Sequence, residues 1–312
     1  MKRKTKEEIQ MKLKELQANQ AETMSLLLTA IEERTGKNNN KYLTLTLSDG
    51  EDTITGNLWQ TAKENFIAKI GDVLSIRLEA RLYNEKLSYV INGYSVTNED
   101  PSDYIVKAPI PSEQMYEVIL RCAHNLGIYA AVVECILEDN KEKLLTWGAG
   151  KKIHHNIRGG LLYHIYRMLQ ASGSISKIYG ESVDKNLLFA GIILHDIGKV
   201  KELETNFLGA TDYTTDGVLF GHLFLGAEMI GQYAKDLLPE KETNLLKHMV
   251  VSHHGQLDMG AITTPAIPEA MILNCLDNLD ARMYQFEETR KGMSPDTVSE
   301  RIFGLDSRVY KP

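Results

Sequence analysis

The feature that most constrains this chain is the stretch 187–199, which reads LLFAGIILHDIGK. Its apolar part is long enough for a buried helix and too short to span a membrane. The run ends by placing His195 beside Asp196, with Gly198 and Lys199 directly behind. Burying an imidazole and a carboxylate is costly unless both have partners, and a metal ion satisfies both at once. The alternative for an isolated pair is a capped helix end at the surface, so the interpretation depends on the rest of the chain.

All nine histidines lie beyond residue 113, where the apolar spacing is helical. The predicted helices cover 113–125, 128–146, 158–179, 184–196, 220–238, 241–254 and 267–290. The candidate metal ligands in this region are His164, His195, Asp196, His222, His253, His254 and Asp277. Facing helices bring such residues into one pocket in metal-binding bundles. His124 and His248 have no partner in the sequence and are interpreted as structural.

Seven candidate ligands are too many for one ion of ordinary coordination. They predict two ions a few Å apart, with Asp196 as the bridging carboxylate. A two-metal site activates a water molecule and clamps a phosphoryl group for in-line displacement. Histidine and aspartate ligands without a thiolate favour a divalent transition metal over Mg or Ca alone. We expect manganese, with Fe, Co, Ni or Zn as alternatives.

Residues 23–97 have the pattern of a small β-barrel. The predicted strands are 24–34, 41–48, 52–59, 73–82 and 86–97, with a helix over 60–70. Five strands with a helix between the third and fourth indicate an OB-fold. Before them, residues 1–22 predict a charged helical arm whose stripe of Ile9, Leu13 and Leu16 faces solvent. Residues 98–112 are expected to form a linker. The predicted fold is therefore an α+β multidomain chain, an OB-fold barrel followed by an all-α domain over 113–312.

The polar faces of the predicted strands carry aromatic and basic residues. Strand alternation places these side chains outward: Tyr42, Trp59, Arg77, Arg81 and Tyr83. Aromatic rings stack on bases and arginines meet phosphates when such barrels hold single strands. The alternative is that some of the aromatics pack on the neighbouring domain. A one-residue error in register would reverse every assignment.

Composition narrows the location and the partners of the chain. The net charge of −7 neither indicates nor excludes nucleic-acid binding, because a local basic strip can supply the attraction. Cys122, Cys135 and Cys275 are scattered and form no CxxC motif, which favours a reducing compartment over a disulfide framework or a thiolate zinc site. The charged N-terminus does not resemble a secretory signal, so we expect a cytoplasmic protein without a membrane partner.

The candidate ligands also resemble a known pattern. His164, His195–Asp196 and Asp277 resemble the His…His-Asp…Asp signature of the HD superfamily of metal-dependent phosphohydrolases. His222, His253 and His254 resemble the elaborated form of that signature, which holds a binuclear centre. More narrowly, four stretches resemble the YhaM family of 3′→5′ exoribonucleases, namely 154–164, 193–199, 252–255 and 277–282. That family joins an N-terminal OB-fold to an HD domain, so the resemblance covers nearly the whole chain after about residue 20.

The resemblance implies a role for each residue of the signature. The first metal would be held by His164, His195, Asp196 and Asp277, and the second by Asp196, His222, His253 and His254. Lys199 would meet a non-bridging phosphate oxygen. Arg158, with His154 and His155, would contact a phosphate or leaving group, although a basic cluster that caps a helix explains these three residues equally well. Asp280 is expected to accept a hydrogen bond from a ligand histidine.

The function that the resemblance implies is a metal-dependent 3′→5′ exonuclease acting on single-stranded RNA, with single-stranded DNA and homo-oligomer formation left open. One alternative is an HD phosphodiesterase for a small signalling nucleotide, although such a substrate needs no barrel. Another is a nucleic-acid-binding regulator with a vestigial HD site, although a decayed site should have lost at least one ligand.

Overall fold

The computed structural model describes residues 11–36, 39–83, 86–147, 157–205 and 211–312, with the backbone alone at 83, 86, 205 and 211. The chain divides into two compact units, residues 1–107 and 108–312. Within the described residues, no single helix has the length and apolarity needed to cross a membrane. The bent helix pair Ser112–His124 and Gly127–Asp139 has the required length and apolarity only when its two helices are counted together.

The first unit is a closed barrel of five strands. They are β1 Ala21–Thr35, β2 Lys41–Ser48, β3 Thr53–Leu58, β4 Val73–Tyr83 and β5 Lys86–Val96. The strand order around the barrel is β1-β2-β3-β5-β4, and β3 pairs with β5 in parallel while the other neighbours are antiparallel. This arrangement confirms the predicted OB-fold barrel.

The barrel core follows from the period of two in its strands. Leu43, Leu45 and Leu47 of β2 are completely buried, as are Ile76 and Leu78 of β4. The same alternation along 73–82 predicts an inward position for Leu82, and this is wrong, since its side chain is 58% exposed. The pairing of β4 with β1 ends at Glu79, so the last residues of β4 pair only with β5 and have no third strand to cover them.

Residues 11–20, the described part of the segment before β1, do not form the solvated helix that we predicted. Leu13 and Leu16 are buried in the barrel core, and these ten residues contain the 3₁₀ turn Leu13–Glu15 in place of a helix. The Leu13 N–H donates to the buried carboxylate of Asp49 at 2.8 Å, which ties the segment to the barrel. Ile9 lies outside the described residues. Apolar burial therefore outweighs the charged composition of this segment.

Two further segments of the first unit differ from expectation. The helix predicted over 60–70 is reduced to the 3₁₀ turn Lys63–Asn65, because Phe66 and Ala68 are both buried at the period of an extended chain. The early part of the expected linker also belongs to the barrel unit. There Tyr104 and Ile105 are buried, and the Tyr104 carbonyl accepts a hydrogen bond from Ser48 Oγ at 2.7 Å.

The second unit is helical. Its helices are α1 Ser112–His124, α2 Ala130–Asp139, α3 Lys141–Thr146, α4 Gly160–Ile178, α5 Lys185–Leu194, α6 Lys199–Glu202, α7 Thr215–Ala234, α8 Glu240–Ser252 and α9 Pro268–Lys291. The single helix predicted over 128–146 is divided, because the chain leaves helical geometry at Asn140. Two short hairpins were not predicted: β6 Leu203–Thr205 with β7 Thr211–Tyr213, and β8 Thr297–Ile302 with β9 Ser307–Lys311.

Helix α5 runs through the core of the helical unit. Seven of its ten residues are buried, and it contacts α1, α2, α4, α8 and α9. A Cβ on Gly191 would lie 2.4 Å from the Met249 methyl group, so α5 and α8 approach closely there. Asp184 caps the start of α5 by accepting the backbone N–H groups of Asn186 and Leu187. The end of this fixed helix delivers His195 and Asp196 into the interior.

Candidate metal centre

The structure brings the seven sequence-predicted ligands into one buried cluster. His164 comes from the first turns of α4, and His195 and Asp196 follow α5 directly. His253 and His254 follow α8 in the same way. His222 comes from α7 and Asp277 from the middle of α9, which completes the cluster.

Asp196 is the centre of the cluster, and its two oxygens face different neighbours. Oδ2 lies 3.4 Å from His195 Nε2 and 2.6 Å from Lys199 Nζ. Oδ1 lies 3.5 Å from His222 Nε2 and 3.7 Å from His253 Nε2. A carboxylate whose two oxygens point to separate sets of histidines has the geometry needed to bridge two cations.

A second carboxylate approaches the cluster at His164. Asp277 Oδ1 lies 3.2 Å from His164 Nε2, which is itself 3.3 Å from His195 Nε2. On the opposite edge of the ring, His164 Nδ1 lies 2.7 Å from Oδ2 of Asp280. Arg167 Nε holds the other Asp280 oxygen at 2.6 Å. Asp280 thus occupies the acceptor position expected from the sequence.

The hydrogen bonds of the rings fix which nitrogen faces the cluster. Nδ1 of His195 lies 2.8 Å from the Ile192 carbonyl, and Nδ1 of His253 lies 2.8 Å from the Val250 carbonyl. A carbonyl oxygen only accepts, so each Nδ1 carries the hydrogen and each neutral ring presents the lone pair of Nε2. His164 is held in the same sense by the Asp280 carboxylate. These are the ring orientations that metal-ligating histidines adopt.

Three buried atoms of the cluster bear on whether its residues could hold a metal ion. Asp196 Oδ1, His222 Nε2 and His254 Nδ1 are buried side-chain atoms without a hydrogen-bond partner among the residues that the structure describes. Leaving one such atom unpaired costs about 1–3 kcal/mol, and leaving three in one place is unusual in a native core. All three atoms have lone pairs for a cation, so the residues fit a metal better than a purely structural polar network.

The ligand atoms fall into three overlapping groups whose members lie within 4.8 Å of one another. The first is His164, His195 and Asp196. The second is His222, His253 and His254, and the third is His195, His253 and Asp277. The first two correspond to the two predicted metal positions. The third joins residues assigned to different positions, so the two positions lie close together.

Without a cation, the buried charges of the cluster shift the pKa values of its residues. Burial raises the pKa of Asp196, but Lys199 and His195 outweigh it and hold the pKa well below its ordinary range. Burial lowers the pKa of His164, but the hydrogen bonds that its ring donates to the Asp277 and Asp280 carboxylates raise it to about 9. The anionic carboxylates therefore draw positive charge to this point, and a proton on His164 supplies it in the metal-free protein.

The other end of the cluster disfavours protons. Burial holds the pKa of His253 well below its ordinary value, and the electrostatic effect of the nearby His195 lowers it further. Burial also lowers the pKa of His254, with His222 acting in the same direction. Neutral imidazoles are the form that binds metal, so these two rings stand ready to do so.

The residues predicted to contact phosphate lie in different settings. Lys199 begins α6, pairs with Asp196 and is only 12% exposed. Arg158 is half-buried shortly before α4, where its carbonyl accepts the Ala108 N–H at 2.9 Å. His154 and His155 lie outside the described residues. The structure therefore places Lys199 in the cluster and leaves the predicted contact of Arg158 as a prediction.

The predicted nucleic-acid face divides into two parts. Tyr42 of β2 and Trp59, directly after β3, are in ring contact with centroids 4.4 Å apart, and Trp59 is 50% exposed. Arg77 and Arg81 are exposed on β4, which is separated from β2 by β1 and from β3 by β5. The side chain of Tyr83 lies outside the described residues. The predicted residues therefore do not form one continuous surface.

The two arginines are not equivalent. Arg81 is engaged by the carboxylate of Glu79 through Nε at 2.8 Å and Nη2 at 3.1 Å. The hydrogen bonds from Arg81 and Asn92 lower the pKa of Glu79 to about 2. A phosphate would have to compete with Glu79 for Arg81. Arg77 forms no ion pair with the described residues and is the better placed of the two for a phosphate.

Sequence reasoning missed two residues that hold ligands in place. Glu202, the last residue of α6, contacts His222 through the ring and the backbone. Asn274 of α9 donates to the His253 carbonyl at 2.7 Å, and a Cβ on Gly255 would lie within 3 Å of the Asn274 side chain. For Asn274 the position gave a signal, since it lies three residues before Asp277 on the same helix face.

Comparison with known proteins assigns the helical unit to a family model. Residues 161–282 match the family model described as HD domain, and this segment contains all seven candidate ligands. Among solved structures, one similar chain is the second OB-fold domain of replication protein A from Methanococcus maripaludis, determined by solution NMR. It is 22% identical, and the match covers 29% of this chain and 96% of that chain with a TM-score of 0.24. The fold is thus an OB-fold-like barrel followed by a helical HD domain.

Proposed function

We propose that this protein is a metal-dependent phosphodiesterase that removes nucleotides from the 3′ end of single-stranded RNA. The observation that carries the proposal is the cluster around Asp196, in which Asp196 Oδ1, His222 Nε2 and His254 Nδ1 are buried and have no hydrogen-bond partner in the described part of the chain. Two divalent ions, held by the seven residues and bridged by Asp196, would satisfy all three atoms. Manganese is the metal we favour, because the ligands are imidazoles and carboxylates without a thiolate.

The residues of the cluster divide the chemical work. Bound ions would lower the pKa of a water molecule to make it a nucleophile and would neutralise the phosphate that it attacks. Asp196 and the neutral histidines hold that charge in place, and the low exposure of the cluster keeps bulk water away from it. Lys199, whose ammonium pairs with Asp196, would neutralise a non-bridging oxygen of the same phosphate. Arg158 is the proposed contact for the leaving group.

The barrel supports a strand as the substrate. Tyr42 and Trp59 lie on the β2–β3 side of the barrel, the side with which OB-folds bind oligonucleotides. The half-exposed indole offers a flat face on which any base can stack, which suits binding without sequence preference. A small signalling nucleotide would not need this surface. The choice of RNA and of the 3′ end rests on the resemblance to the YhaM family.

The test is the digestion of single-stranded RNA labelled at its 5′ end, with Mn²⁺ and with a chelator. We expect a ladder of progressively shorter labelled products that the chelator abolishes. His253→Gln should abolish the ladder. The matched control is His124→Gln, because His124 is a histidine outside the cluster whose side chain is 77% exposed, and this variant should digest RNA normally.

Other outcomes would identify the alternatives. Hydrolysis of a cyclic dinucleotide with no action on RNA would show a phosphodiesterase for a signalling nucleotide. Binding of RNA with no hydrolysis under any divalent metal would show a regulator with an inactive HD site. The same strand made of DNA, digested in parallel, would determine the preference for sugar.

A further inference from the structure

Glu202 is not one of the seven candidate ligands, yet its buried carboxylate contacts one of them twice. Oε1 lies 3.0 Å from the backbone nitrogen of His222 and 3.1 Å from its Nδ1. The residue is 8% exposed. A buried carboxylate that receives both N–H groups of one residue holds that residue in position and orientation together.

The contact exists because α7 is interrupted at Gly221. This residue has φ 69° and ψ 160°, a left-handed φ combined with extended ψ that glycine adopts most readily. The helix starts again at His222, so the His222 N–H has no carbonyl one turn earlier to bond. The Glu202 carboxylate accepts that N–H, as a capping side chain does at the start of a helix, where negative charge is also favoured.

The backbone of Glu202 is fixed against the same helix. Its carbonyl accepts the Thr214 N–H at 2.9 Å, and the Thr214 hydroxyl lies 3.2 Å from it. A Cβ on Gly217 would lie 2.1 Å from this carbonyl oxygen, so the end of α6 and the first turn of α7 are in direct contact. Glu202 is therefore held on both sides of the break in α7 and cannot shift without moving His222.

We propose that Glu202 is the positioning residue that makes His222 a metal ligand. By accepting from Nδ1 it keeps the hydrogen there and leaves Nε2 directed at Asp196 Oδ1 at 3.5 Å. This Nε2 is buried and has no hydrogen-bond partner within the described ranges. The position built from His222, His253 and His254 therefore depends on Glu202 in α6. This inference rests on the metal centre of the proposed function.

Glu202 has a counterpart at the other metal position. His164 is held by the carboxylate of Asp280, whereas His195 and His253 are held by carbonyl oxygens of their own helices. Each of the two predicted metal positions thus contains one histidine whose orientation depends on a distant carboxylate. Substituting Glu202 should weaken the binding of one ion, and substituting Asp280 should weaken the binding of the other.

The experiment is an equilibrium titration of the metal-free full-length protein with Mn²⁺, in which free and bound ion are measured directly. We expect Glu202→Ala to weaken one of two ions by about 10–100-fold and to leave the other unchanged, as is usual when the partner of a ligand histidine is removed. The affinity of Glu202→Gln for that ion should lie between those of the wild type and Glu202→Ala, because an amide oxygen can still accept both N–H groups. The matched control is Glu204→Gln, the same change at an exposed carboxylate of β6.

A double-mutant cycle separates positioning from general damage. If Glu202 acts through His222, adding Glu202→Ala to a His222→Ala protein should cause no further loss of Mn²⁺ affinity. The inference would be overturned if Glu202→Ala caused the same loss of Mn²⁺ affinity in the His222→Ala protein as in the wild type. It would also be overturned if Glu202→Ala left the affinities for both ions unchanged. Glu202→Gln provides the same test if the alanine variant does not fold. Absence of any ion from the wild-type protein would instead overturn the proposed metal centre, and the inference with it.

Discussion

Gly198 provides a sharp test of how the helical unit positions its ligands. Its φ of −59° is open to any residue, so alanine there meets no backbone strain. A Cβ, however, would lie 2.0 Å from the His222 carbonyl oxygen and 2.7 Å from the Gly226 nitrogen. Both are backbone atoms of α7, so no side chain can turn aside. Ordinary contact begins at 3.4 Å, and Gly198→Ala must therefore push α6 away from α7.

We expect Gly198→Ala to destabilise the helical unit by about 1–3 kcal/mol, the usual cost of forcing an added carbon into a packed interior. The control is Gly173→Ala in α4, where no atom lies within 4 Å of the new Cβ. Replacing a glycine inside a helix by alanine should stabilise that helix by roughly 0.5–1 kcal/mol. The same chemical change is thus predicted to have opposite signs at two positions.

The free energy of unfolding is measured by guanidinium titration of the metal-free protein. The chain has two tryptophans, Trp59 in the barrel unit and Trp147 in the helical unit, so Trp147 reports the helical unit alone in a Trp59→Phe background. Gly198→Ala should lower the midpoint, and it should also weaken metal binding because His222 moves. A Gly198→Ala protein as stable as wild type would refute the close approach of α6 and α7.

Three further predictions concern pH and strand binding. The carboxylates of Asp277 and Asp280 raise the pKa of His164 to about 9 despite its burial, so the contribution of His164 to the stability of the metal-free protein should be complete below about pH 6.5 and should be lost as the pH rises through about 9. Denaturation in chelator across that range measures this, and an unfolding free energy that did not fall would contradict it. Trp59→Ala should weaken the binding of single-stranded RNA by roughly 1–3 kcal/mol if the indole stacks on a base, as fluorescence anisotropy would show. Arg77→Ala should reduce the salt dependence of the same binding by about one counterion, and an unchanged slope would exclude a phosphate contact.

The elements that could be predicted are those whose apolar pattern can be buried in only one arrangement. The alternating leucines of β2 and the apolar run of α5 are two such patterns, so the strands and the long helices could be predicted from their periods. The ligands were visible for a similar reason. Burying a histidine or an aspartate at the end of an apolar helix costs free energy unless the side chain has a polar partner inside the fold.

The parts that could not be predicted depend on contacts between distant segments. Leu13 and Leu16 have the spacing of a helix, yet their position is determined by packing into the barrel core. The separation of Trp59 from Arg77 depends on the strand order, which alternation alone does not reveal. The role of Glu202 depends on the break in α7, and no local pattern distinguishes this glutamate from its charged neighbours.

The central claim is that Asp196 bridges two ions, and the metal content of purified protein tests it most directly. Elemental analysis of wild-type protein prepared without chelator should give about two divalent transition-metal ions per chain. Asp196→Ala should lose both ions, whereas His253→Ala should lose mainly one. Full metal content in Asp196→Ala, or a wild-type protein that binds no divalent ion, would contradict the account.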